Sequence, residues 1–208
     1  MTLPPFFRNE RERVIASFDA FDIASGTGIK NFYAGDTVDT TILSDQTFYS
    51  DTIVSNTGNI GISADAKRLD IDYDVEINNP LTIVGKTVLN VPISATRTGG
   101  TTTAHVVAVL RKESASVETD IVTNISRVLS VSTPGTIYTM LAIDLDIPQT
   151  SFKRGDILRL TVELWASGGA SPASAAFAHD PKGRTTGWDV SGAVPSTLIM
   201  QLPIKIQL

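Results

Sequence analysis

Residues 152–165, FKRGDILRLTVELW, decide the fold class of this chain. A turn on Gly155-Asp156 leads into a run where Leu158, Leu160, Val162 and Leu164 alternate with Arg159, Thr161, Glu163 and Trp165. Side chains on a strand point to opposite faces in turn, so this two-residue period predicts a strand buried on one side only. Trp165 falls on the polar side of it. That position calls for a cover, supplied either by the chain's own loop or by another molecule.

The same period recurs along the chain. In RLDIDYDVEI, Leu69, Ile71, Tyr73, Val75 and Ile77 oppose Asp70, Asp72, Asp74 and Glu76. TVLNVPISA sets Leu89, Val91, Ile93 and Ala95 on one face, and TIYTMLAIDLDI does so with Ile137, Leu141, Ile143, Leu145 and Ile147. TLIMQLPIKIQL carries Leu198, Met200, Leu202, Ile204, Ile206 and Leu208. Further strands are expected over 47–56, 104–112 and 119–131, and turn clusters such as Asn78-Asn79-Pro80, Gly99-Gly100 and Thr133-Pro134-Gly135 separate them. One wet face per strand is the mark of antiparallel sheets. The expected fold is therefore all-β: a two-sheet antiparallel sandwich, most naturally a jelly roll, with immunoglobulin-type Greek keys open as the alternative.

Two segments stand apart. Residues 1–35 are expected to form an irregular N-terminal arm, with a weak helical period near 8–16, and residues 36–208 the sandwich. The arm carries Phe6, Phe7, Phe18 and Phe21, aromatics that need a surface to pack on. Residues 166–194 form a long Gly/Ser/Ala-rich connection, and connections of that length in a compact domain are usually functional or interfacial.

Composition bounds the function. The 208 residues are 42% apolar and 19% charged with a net charge of −5, which argues against a nucleic-acid partner needing a basic face. There is no cysteine, so disulfides, thiolate metal sites and cysteine nucleophiles are excluded. No signal peptide and no apolar run of about 18 residues is evident, so a soluble protein made in the cytosol, without a membrane partner, is the expectation.

The candidate chemistry is sparse. His105 lies in the apolar run AHVVAVL, and His179 stands alone in AHDPKGR, short of the three or four converging ligands of a metal site. Asp70, Asp72, Asp74 and Glu76 share one strand face about 7 Å apart, which suits a solvated face or, less directly, a cation or sugar contact. Arg154-Gly155-Asp156 spells an adhesion tripeptide but reads as a turn, and the sequon at Asn124 reads as chance. No G-x-S-x-G elbow occurs. Trp165, Trp188 and the doubly apolar AHVVAVL suggest instead an interaction surface, with His179 beside it. No cofactor, no metal and no catalytic residue is expected, and so no enzyme.

The order VLNVPISATRTGG, AHVVAVLRK, TIYTMLAIDLDIPQTSFKRGDILRLTVELWASGG and AFAHDP resembles virion jelly-roll proteins of bacterial or archaeal viruses, over residues 85–208 and more faintly 15–60. It is also similar in texture to the jelly rolls of C1q- and tumour-necrosis-factor-like trimers. The resemblance implies a capsid decoration (cement) or auxiliary capsid protein, located in the virion and assembled in the host cytoplasm. Its partners would be itself, as a homotrimer, and other capsid proteins. The alternative expectation is a carbohydrate-binding or receptor-binding module of a viral fibre or spike, taking a glycan on Trp165 and Trp188.

Overall fold

In a computed structural model the described residues are 27–189 and 191–206, and every regular element among them is a strand. In chain order these are β1 (Thr27–Asp36), β2 (Thr41–Ser44), β3 (Val54–Asn56), β4 (Ser63–Glu76), β5 (Leu81–Arg97) and β6 (Thr102–Ser114). They continue as β7 (Val117–Ile125), β8 (Leu129–Val131), β9 (Gly135–Phe152), β10 (Ile157–Gly168), β11 (Ala173–Ala178) and β12 (Leu198–Ile206). The all-β expectation holds.

The strands hydrogen-bond in one continuous order, β3-β11-β5-β12-β1-β2-β4-β10-β6-β7, with β8 also on β6 and β9 on β5. All pairings are antiparallel except a single parallel bridge between β2 and β4, Ile42 to Asp74. The two halves of this sheet turn their apolar faces on one core. Leu89, Val91 and Ile93 of β5 and Leu141, Ile143 and Leu145 of β9 share it with Val106, Ala108 and Leu110 of β6 and with Leu158, Leu160, Val162 and Leu164 of β10. Each of the four β10 side chains is fully buried, worth about 1.5–3 kcal/mol apiece.

The turn that opens β10 behaves as its sequence indicates. Gly155 takes a φ of 86°, a conformation glycine adopts without a side-chain clash. Asp156 behind it is 5% exposed and accepts hydrogen bonds from the Lys153 backbone N–H and the Ser114 hydroxyl. The Lys112 ammonium lies 2.9 Å away and, with these donors, holds the Asp156 carboxyl down at about 2. The tripeptide Arg154-Gly155-Asp156 is a locked turn.

Four boundaries differ from the sequence expectation, the first being the strand expected over 47–56, which exists only at its end as β3. Residues 27–35, assigned to the arm, form most of β1, an interior strand between β12 and β2. The connection 166–194 begins with the last residues of β10 and contains β11. The run 119–131 divides into β7 and β8. Phe6, Phe7, Phe18 and Phe21, and the helical period at 8–16, lie outside the described residues.

Candidate functional site

A buried polar cluster is built where β11 leaves the sheet. His179 follows β11 directly, and its backbone N–H bonds to the Ile53 carbonyl just before β3, which fixes it against the sheet's end strand. The residue is 1% exposed, and its ring packs against Tyr73 of β4 and Phe177 of β11, each tilted to it with a centroid 5.7 Å away. Nε2 lies 3.0 Å from the Ser55 hydroxyl of β3, while Nδ1 is buried without a partner, as is the Tyr73 hydroxyl. Burial pushes the imidazole down to about 4, against the opposing pull of the Asp36 and Asp180 carboxylates.

Asp180 is fully buried and organises the next turn. It accepts from the Arg184 backbone N–H at 2.8 Å, from Arg184 Nε at 2.9 Å and from Nη2 at 3.1 Å. Burial alone would raise its carboxyl, but these bonds outweigh it and hold the group below the ordinary carboxylate range. Arg184 also donates to the Ser50 carbonyl, and the buried Ser196 hydroxyl donates to the Arg184 carbonyl at 2.6 Å. Asp180 N–H to Ser196 O at 2.9 Å completes a clasp joining segments around 50, 180 and 196.

Trp188 is 5% exposed, set edge-on to Tyr138 at 5.2 Å and packed with Ala176 and Ala178 on the outer side of β11. It is a packing residue of its own chain and offers no open platform. Trp165 lies on the outer face of β10 and is half-buried. It lies across the sheet from His105, with parallel rings 6.1 Å apart, and its Nε1 donates to Glu163 at 2.8 Å. Val109, on the outer side of AHVVAVL, is only 5% exposed, so that strand presents little apolar surface.

The acidic run faces cations on neighbouring strands. Arg159 grips Asp74 through two nitrogens at 2.6 and 2.7 Å and also pairs with Glu118, which raises the guanidinium's already high pKa. Thr161, 1% exposed on this outer face, donates to Asp72 and accepts from Arg111. Lys67 bridges Asp70 and Glu163. Among the described residues no group of three or more His, Asp or Glu could hold a metal ion. The sequence did not single out Ser55. Its strand has three residues and its partner lies 124 positions away, so no local pattern carries the pair.

No family model matches the chain, and no curated protein matches it. Solved structures do. A CocE/NonD family hydrolase from Staphylococcus aureus shares 12% identity over 88% of this chain with a TM-score of 0.50. An aminopeptidase from the marine sediment archaeon Thaumarchaeota archaeon shares 10% over 86% with a TM-score of 0.52. The chain spans 37% of the length of each of these two. The VP2 protein of infectious bursal disease virus matches at 12% identity over 99% of this chain and 41% of its own, but with a TM-score of 0.31. That weak match is what the comparisons offer toward a viral capsid protein.

These findings overturn the expectation that the chain is not an enzyme. That expectation rested on scattered sequence positions and on likeness to virion proteins, whereas the fold is one that two hydrolytic enzymes contain. At 10–12% identity the likeness shows the fold alone.

Proposed function

We propose that this chain is a virion structural protein, a capsid decoration (cement) or auxiliary subunit that self-associates as a homotrimer and stabilises a shell through protein–protein contacts. The observation carrying this reading is an apolar corner where the end of β7 comes near the start of β9. Ile125 is 58% exposed, Val128 56% and Ile137 38%, and Arg127 Nη2 to Thr139 Oγ1 ties the two segments together. Three exposed large aliphatic side chains on the segments that flank one tie suit a covered interface better than open water. The burial of Trp188 removes half of the aromatic pair on which a glycan-binding reading relied.

The test is the solution mass by light scattering of the full chain and of an Ile125→Glu/Val128→Glu variant. A trimer or larger species that falls to monomer mass in the variant is the expected result. A full chain that stays monomeric across a hundredfold range of concentration overturns the reading. A truncation probing the arm has to stop at residue 26, because removing 1–35 would delete β1 from the middle of the sheet.

A further inference from the structure

We propose that Ser55 and His179 form a nucleophile–base pair able to take an acyl group from an activated ester, a site independent of the structural role above. Three features of the pair carry this. Ser55 is a half-buried residue on the end strand of the sheet, and it is from this edge that an acyl donor would approach. Its proton has a base in line, His179 Nε2, 3.0 Å away. The imidazole packs against the tilted Tyr73 and Phe177 rings and is pinned through its own backbone to Ile53, so packing restrains its direction toward Ser55.

The ring is the neutral form at neutral pH, as a base must be before it accepts a proton. With its own proton on the buried Nδ1, Nε2 is left as the acceptor. The charges of Asp36 and Asp180 favour the imidazolium that forms transiently, opposing the cost of charging a buried ring. In the step, Ser55 Oγ bonds to the carbonyl carbon while its proton passes to Nε2. The carbon–oxygen bond to the leaving alkoxide then breaks, and that alkoxide takes the proton from Nε2. Water repeats the sequence on the acyl-serine, so that ester and water become acid and alcohol, with His179 and Ser55 restored.

The experiment treats the folded full-length protein with a fluorophosphonate, in which the serine oxygen bonds to phosphorus and fluoride leaves. Intact mass and peptide mapping then locate the adduct. The expected result is one adduct, on Ser55, absent in Ser55→Ala and formed at least tenfold more slowly in His179→Gln, with release of p-nitrophenol from p-nitrophenyl acetate following the same order. Mapping on the unmodified chain decides the matter even if a variant misfolds. No adduct, or an adduct on other serines only, overturns the proposal and leaves the hydroxyl as a hydrogen-bond partner of a packed ring. Labelling is independent of solution mass, so its failure and the failure of the assembly reading are told apart.

Discussion

Two regions pair acidic residues with arginine and place a tryptophan nearby, and they do so under opposite conditions. On the outer face of β4, β10 and β6, Asp72, Asp74 and Glu118 meet Arg111 and Arg159, with carboxylate side chains 35–44% exposed. At the clasp after β11, Asp180 is fully buried beneath Arg184. Water remains an alternative partner for every group in the first region. In the second the Asp180 carboxylate has no such alternative, although the Arg184 side chain is itself 35% exposed, so a lost bond leaves a buried acceptor alone. Sequence composition is similar in both places, and solvent access separates their energetic weight.

The sharpest way to break the comparison is Asp180→Ala. Removing this carboxylate strands donors from Arg184 and the Ser50 backbone, and the expected loss is roughly 3 kcal/mol in chemical denaturation, within the range for breaking a buried polar network. A loss under about 1 kcal/mol would mean that the clasp is as solvated as the outer face.

Acid tests the same region through His179. Its folded pKa of about 4 lies below the ordinary 6.5, so the unfolded chain takes up this proton first. The stability tied to this ring is intact above about pH 6.5 and is lost as pH falls toward 4. The slope approaches at most about 1.4 kcal/mol per pH unit. Below that window this group adds no further loss, while Asp180 and Asp156, both lowered, begin to lose theirs. Denaturation midpoints from pH 8 to 4 should show the slope in the unmodified chain and lack it in His179→Gln. An equal slope in both would show that the ring is not its source.

On the open face the expected effect is smaller. Arg159→Met removes a bidentate contact to Asp74 and the pairing with Glu118, yet exposed ion pairs contribute little, and about 1 kcal/mol at low salt is expected. In roughly 1 M salt, where charges are screened within about 3 Å, the difference should nearly vanish. A salt-independent loss above about 2 kcal/mol would show that Arg159 acts by covering the sheet with its stem rather than by charge.

Strand content was legible where large apolar residues alternate. Leu89, Val91, Ile93 and Ala95 are all fully buried, as expected of one face, and Leu198, Met200 and Leu202 behave alike. What was missed lacks that alternation. β11, ASAAFA, has only Phe177 as a large side chain and looks like linker. In β1, TGIKNFYAGD mixes glycine and polar residues, yet Phe32 and Ala34 are buried because β12 and β2 flank it. The β6–β7 hairpin turns on Ala115-Ser116 with φ of 50° and 64°, positions where asparagine or glycine would have signalled the turn. The His179 site was half legible: the histidine stands out in AHDPKGR, but Ser55, Tyr73 and Asp36 reach it only through tertiary pairing, which no local period encodes.

The finest contrast lies between the two tryptophans, and a pair of single-tryptophan variants reads it directly. Trp165→Phe leaves Trp188, 5% exposed against Tyr138, whereas Trp188→Phe leaves Trp165, half-buried beside His105 and bonded to Glu163. Trp165→Phe keeps an aromatic ring on the sheet face and should change stability by less than about 0.5 kcal/mol. Acrylamide should quench Trp165 several-fold more than Trp188 in dilute solution, with emission at longer wavelength. If that difference persists at high concentration, Trp165 lies clear of any subunit contact and assembly runs through the Ile125–Val128 corner. If Trp165 becomes as protected as Trp188 when the protein is concentrated, the outer charged face is itself covered in the assembly. Its ion pairs would then move from the exposed regime toward the buried one that Asp180 already occupies.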